Sequence, residues 1–144
     1  MYLADLLADS NNQDIPRGRH IKALDIGTGA SLVYPLTGQS EYGWHFTGTD
    51  IDDTALKSAQ KICDFNNLNI ALRRQDRPEN IFRGVIQPDD AFHVTMCNPP
   101  FHASKEQATK GTQRKWANLG KGRSKQLNFG GQNAELWCQG GEIK

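Results

Sequence analysis

The stretch with the most chemical content is Asn98-Pro99-Pro100-Phe101, directly after the largely apolar run 91–97. Two consecutive prolines remove two backbone donors and fix φ. A row of acceptors is left: the Asn98 amide oxygen and the carbonyls of Asn98 and Pro99. An NH2 group, which brings two donors, suits such a row. Phe101 adds a flat apolar face on which a planar base can stack. Rigid acceptors beside an aromatic wall fit an exocyclic amino group that is held while it attacks. A lone Asn-Pro-Pro-Phe is also a plain proline turn that ends a strand.

A second constellation lies upstream. Leu24-Asp25-Ile26-Gly27-Thr28-Gly29 places two glycines where a strand must turn into a helix. Glycine permits that turn and lets a ligand approach the backbone. The N-terminus of the following helix offers N–H groups, and Ser31 adds a hydroxyl; both suit a carboxylate or phosphate. Asp50 lies 23 residues after Gly27, at the end of the next strand, where an acid accepts the hydroxyls of a ribose. The pair predicts a nucleoside-linked anionic or zwitterionic cofactor. A nicotinamide dinucleotide wants a third glycine where Leu32 stands. S-adenosyl-L-methionine needs only the first two, with Asp25 serving its ammonium and the Ser31 region its carboxylate. Without a ligand the same residues are a tight strand-to-helix turn.

The elements that must position these groups follow from apolar patterning. Residues 1–9 read as the end of a helix with Leu3, Leu6 and Leu7 on one face, and 10–19 as a polar loop. Strands are expected at 21–26, 44–49, 70–74 and 91–97. One helix starts near Leu32, with Pro35 in its first turn. Another spans 54–65, capped by Asp52 or Asp53 and ended by Asn66 and Asn67. Leu56, Ala59, Ile62 and Cys63 form its apolar stripe. A short helical turn holds Ile81 and Phe82, and a further helix opens at Ala134. Strand, glycine turn, helix, strand is a βαβ unit, and it repeats once. The fold class is therefore α/β, a mostly parallel sheet with right-handed crossovers and helices on both faces.

Composition sets the outer bounds. The chain has 144 residues, 37% hydrophobic and 23% charged, with a formal net charge of +1. That is one domain of ordinary globular profile. No apolar run reaches the length of a membrane span, and Asp5 and Asp9 interrupt the apolar stretch where a signal peptide would begin. Cys63, Cys97 and Cys138 have no metal-type spacing and do not make an even disulfide set. Reduced thiols in a cytoplasmic protein are the simplest account. Charge is unevenly spread. Between His102 and Gln126 lie Lys105, Lys110, Arg114, Lys115, Lys121, Arg123 and Lys125 against Glu106 alone, a charge of +6, so the remainder carries −5. Segment 102–129 reads as a long, mobile, basic loop on the substrate side, suited to phosphates, with Trp116 available for stacking. The bland alternative is a solvated basic loop.

Three blocks together resemble a known family: residues 24–31, then Gly48-Thr49-Asp50-Ile51-Asp52-Asp53, then Cys97-Asn98-Pro99-Pro100-Phe101. They look like class I S-adenosylmethionine-dependent methyltransferases acting on amino nitrogens, which have a Rossmann-like fold. Residues 27–35, Tyr42-Gly43-Trp44 and Asn128-Phe129-Gly130-Gly131 narrow this to the bacterial RlmF type, which methylates N6 of an adenine in 23S ribosomal RNA, and to its eukaryotic relative. The resemblance implies that Gly27 and Ser31 contact the methionine part, that Asp50 holds the ribose, and that Asp76 or Arg77 borders the cofactor adenine, with Gly29 part of the same cofactor turn. It assigns Asn98, Pro99 and Phe101 to the target base, with Pro100 completing the catalytic turn and large-subunit ribosomal RNA as partner; neither a metal nor a membrane is expected from the sequence. It also implies an incomplete chain, four strands where the family has seven, whose last strand is an edge exposing Phe92, Val94 and Met96. Such a piece is expected to be inactive by itself. Two competing readings are a glutamine-N5 methyltransferase of protein release factors, which uses a similar Asn-Pro-Pro turn, and a non-catalytic RNA-binding domain of the same fold. The basic segment favours nucleic acid over a protein substrate.

Overall fold

Four short strands carry the fold: β1 (Lys22–Ile26), β2 (His45–Asp50), β3 (Ala71–Arg74) and β4 (Val94–Cys97), with α1 (Tyr2–Asp9), α2 (Val33–Tyr42) and α3 (Asp53–Phe65) between and before them. The computed structural model describes residues 2–99, and the fold below is that of residues 2–98. The expectations for Pro100, Phe101, the basic segment 102–129 and the helix from Ala134 lie outside the described residues. The strands are all parallel, in the order β3-β2-β1-β4.

The right-handed crossover rule accounts for the layering. The chain moves one way across the sheet from β1 to β2 to β3, so α2 and α3 fall on one face. Ala23, Phe46, Leu72, Val94 and Met96 share that face and join the cluster that includes Ala4, Leu32, Ala59 and Cys63. The connection from β3 to β4 reverses direction past β2 and β1, so it must cross the opposite face. There Arg73 donates to the Val85 carbonyl at 2.8 Å and is ion-paired with Asp90, and Val85 is buried. Among the described residues the helices therefore lie on one face, and the 75–93 crossing covers part of the other without forming a helix. Ile81 and Phe82 are exposed and lie in a bend; the short helical turn expected there begins at Phe82, whose carbonyl accepts the Val85 and Ile86 N–H at 3.2 and 3.0 Å, and leaves Ile81 outside it.

Local sequence sets the element ends. Asp52 caps α3 by accepting from the Thr54 N–H at 2.8 Å. At its other end Asn67 takes the left-handed conformation at φ 52°, and the Leu68 N–H reaches back to the Cys63 carbonyl at 2.9 Å. The last strand is shorter than its apolar run suggests. His93 already joins β1, donating from its N–H to the Lys22 carbonyl and accepting the Lys22 N–H at Nδ1 (2.8 and 3.1 Å), but regular pairing starts at Val94. β4 pairs only with β1 among the described residues. The expected exposure of Phe92, Val94 and Met96 is corrected: all three are half-buried, and it is Thr95 and Cys97 that face outward. The pleat explains this, because alternate residues of an edge strand still meet the core.

Helix α2 lies close against the sheet at Gly38, where an added Cβ would fall inside contact distance of the Phe46 ring. Alanine is the better helix former by about 1 kcal/mol, but overpacking costs about 1–3 kcal/mol, and this overlap is severe. Gly38→Ala should therefore lower stability by about 1–2 kcal/mol in equilibrium denaturation. A variant as stable as the original chain would contradict this packing.

Candidate functional site

Parallel pairing brings the carboxyl ends of all four strands to one edge. Ile26 is level with Thr49 on β2 and with Cys97 on β4, and Asp50 is level with Arg74 on β3. Gly27, Asp50, Gln75 and Asn98 thus leave the sheet side by side, which is where open α/β sheets bind ligands.

The glycine turn is fastened to β2. Gly27 and Thr28 both donate their N–H to the Thr49 carbonyl, at 2.8 and 2.9 Å. Gly27 and Gly29 have φ of 71° and 67°, a region that favours glycine. An added Cβ on Gly27 would meet nothing within 4 Å, so the turn has open space above it. Leu32, where a dinucleotide fingerprint would have its third glycine, is also left-handed at φ 51° and ψ 38°. Its side chain is fully buried in the core, which holds this otherwise unfavourable backbone in place. α2 begins there with no side-chain cap, so its first turn keeps N–H groups for an anion. Ser31, just before it, is exposed.

Two buried carboxylates flank the turn. Asp50 Oδ2 accepts the Gly29 N–H at 2.8 Å, and Oδ1 accepts the Asp52 N–H at 2.9 Å. A carboxylate has about four lone-pair sites, so each oxygen keeps one for a ribose hydroxyl. Asp25 is 1% exposed. Its Oδ2 accepts the Thr28 hydroxyl at 2.7 Å, whereas Oδ1 has no hydrogen-bond partner among the described residues. Burial pushes the Asp25 carboxyl up to about 6; the Thr28 hydroxyl opposes the rise and the charge of Asp50 adds to it. An orphaned buried oxygen, an open glycine and an uncapped helix start together fit a zwitterionic cofactor with a ribose.

At the end of β3 the buried residue is Gln75, which sequence reasoning passed over. Its N–H donates to the Asp50 carbonyl at 2.8 Å, its amide accepts from the Arg77 N–H, and it donates to the Arg83 carbonyl. Asp76 and Arg77 are exposed, Asp76 paired with Arg74 at 3.1 Å and Arg77 near Glu79 at 3.9 Å. Thr28 was likewise missed. The signal for both was a polar residue at a strand's carboxyl end with no obvious surface role. Asn98 is exposed directly after β4. Pro100, Phe101 and the seven basic residues from Lys105 to Lys125 lie outside the described residues. Among the described residues no cluster of His, Cys, Asp and Glu could hold a metal, and no helix is long and apolar enough to cross a membrane.

Comparison with known proteins adds to this geometry. The profile of a family described as RNA methyltransferase matches residues 1–144. The chain is 65% identical over 143 residues to the ribosomal RNA large subunit methyltransferase F of Pseudoalteromonas translucida, covering 99% of this chain and 46% of that protein. It thus spans about half the length of the curated relatives it matches. Among solved structures it is similar to the hMettl16 catalytic domain in complex with MAT2A 3'UTR hairpin 1, with TM-score 0.62 and 29% identity over 84% of this chain and 41% of that one. It is also similar to the N-terminal domain of human METTL16 in complex with SAH, with TM-score 0.58 and 26% identity over 82% and 48% of the two chains. These bear out the Rossmann-like methyltransferase fold.

The raised Asp25 carboxyl has a consequence for stability. Its folded pKa lies above the unfolded 3.8, so the stability it contributes is fully present below 3.8 and is lost as pH rises through about 6. A shift of this size corresponds to about 3 kcal/mol. Across pH 4 to 7 the unliganded protein should lose about that much stability relative to Asp25→Asn, which cannot ionise. Denaturation midpoints with the same pH slope in both proteins would contradict it.

Proposed function

The chain belongs to this RNA methyltransferase family, and on that premise we propose that the protein it comes from transfers a methyl group from S-adenosyl-L-methionine to N6 of an adenine in RNA, with large-subunit ribosomal RNA as the substrate. The observation that carries the reading is the convergence of the glycine turn, Asp50 and Asn98 on one edge of the sheet. A cytoplasmic location follows from a ribosomal RNA substrate. Transfer of tritiated methyl groups to ribosomal RNA by the full-length protein, followed by nucleoside analysis, tests it; label in another nucleoside or in protein overturns it.

When bound, the cofactor supplies an electrophilic methyl group. The residues of this chain supply position. Gly27 and Gly29 admit the methionine part close to the backbone, the Ser31 region and the start of α2 take its carboxylate, and Asp25 takes its ammonium. Asp50 accepts the ribose hydroxyls. The 75–77 corner, with Asp76 and Arg77 at its rim, borders the adenine. The acceptors of Asn98 and Pro99 hold the two N–H bonds of the target nitrogen, while Pro100 stiffens the turn and Phe101 stacks on the base. Adenine N6 is a weak nucleophile because its lone pair is delocalised, so held N–H bonds favour a pyramidal nitrogen. No strong base is needed before attack, because the nitrogen becomes acidic as it gains the methyl. The rate enhancement is then orientation and proximity. The target base must come from a single strand or be flipped out of a helix. Lys105, Lys110, Arg114, Lys115, Lys121, Arg123 and Lys125 meet RNA phosphates.

Three variants separate these roles. Asp50→Ala should weaken S-adenosylmethionine binding by about 1.5–3 kcal/mol in calorimetry, the range for hydrogen bonds to a charged group. Asn98→Ala should leave that affinity nearly intact and lower kcat by more than about tenfold, because its bond to the target nitrogen strengthens in the transition state. Charge reversal at Lys121 and Arg123 should weaken RNA binding and reduce its salt slope by roughly one per lost contact.

A further inference from the structure

Thr28 lies between the two glycines of the turn, and it is held from three sides. Its N–H donates to the Thr49 carbonyl at 2.9 Å and its hydroxyl to Asp25 Oδ2 at 2.7 Å. Its side chain presses on Gly48, where an added Cβ would come within 2.9 Å of both Thr28 Oγ1 and Cγ2. Thr28 is 7% exposed. The hydroxyl cannot swing away without leaving a second buried polar atom unpaired. Its single donor is committed to one carboxylate oxygen, and the other, Asp25 Oδ1, stays buried without a partner among the described residues.

We propose that Thr28 is a positioning residue of the cofactor site: its hydroxyl, backed by the missing side chain of Gly48, occupies one oxygen of Asp25 and so holds the other free for a cationic donor of the ligand. This rests on the cofactor reading above and deepens it, making cofactor affinity depend on a proton. Burial raises the Asp25 pKa most, and two groups add to that: the Thr28 hydroxyl lowers it, and Asp50 at the end of β2, the charged one, raises it. Its register partners, Gly48 on β2 and Met96 on β4, carry no charge. Below about pH 6 the unliganded carboxyl is protonated, and an arriving ammonium must displace that proton.

The test is calorimetric binding of S-adenosylmethionine to the full-length protein between pH 5 and 7.5, with thermal melts at each pH to establish that every variant is folded. The original protein should lose affinity as pH falls through about 6, by up to tenfold per unit. Thr28→Val keeps the shape against Gly48 and loses the hydroxyl, so its midpoint should move up by about one pH unit, the size of one hydrogen bond to a charged group. Thr28→Ser should restore the original midpoint, and Asp25→Asn should bind more weakly with a flat pH profile. A Thr28→Val midpoint equal to the original, or equal weakening in Val and Ser variants at every pH, overturns the proposal. So does an Asp25→Asn variant that binds like the original, although the cofactor reading survives that result. Absence of binding by the original protein overturns the cofactor reading and this proposal with it.

Discussion

Asp50 is the residue on which the carboxyl edge of the sheet depends. One side-chain oxygen holds the Gly29 N–H, the other holds the Asp52 N–H ahead of α3, and its main-chain carbonyl receives the Gln75 N–H. Three separate loops are thereby tied to the last residue of one central strand. A carboxylate this buried is tolerable because backbone donors satisfy it. The same bonds fix the orientation of its carboxylate, the preorganisation that the proposed cofactor site relies on.

The two faces of the sheet are built differently, and topology is the cause. Steps in one direction put helices on one face, where small residues such as Gly38 and Ala59 let them approach. The single reversal of direction sends residues 75–93 over the other face, where the chain is held by polar anchors instead of an apolar stripe. Gln75 grips residues 77 and 83, and Arg73 grips 85 and 90. Asp90 is correspondingly held down at about 2, chiefly by the Arg73 guanidinium and by the Gln87 N–H.

Periodicity and turn chemistry made the architecture readable in advance. The leucines of residues 1–9, four apolar runs, two glycines, the Asp52 cap and the Asn66-Asn67 stop located the strands, α1, α3 and the start of α2 to within a few positions. The misreadings share one origin. Residues 91–93 are apolar enough for a strand, and Ile81 for a helical turn, but ladder pairing and side-chain anchors decided both, and those depend on partners remote in sequence. Of the residues proposed for the cofactor, Gly27 and Gly29 were legible because positive φ favours glycine, and Asp50 from its place at the end of the next strand. Thr28 and Gln75 were not, because each acts through a buried hydrogen bond whose other end is invisible in a linear chain.

Leu32 illustrates an exchange between strain and packing. Holding a leucine left-handed costs about 1–2 kcal/mol, which a glycine would relieve. Emptying the space its side chain fills in the core would cost about 2–5 kcal/mol. The second quantity exceeds the first, so the residue that looks wrong for the turn is the more stable one there. The corner that opens α2 is thus made of core material. Its shape is enforced from the interior of the protein, and loosening it would require unpacking the layer of side chains beneath.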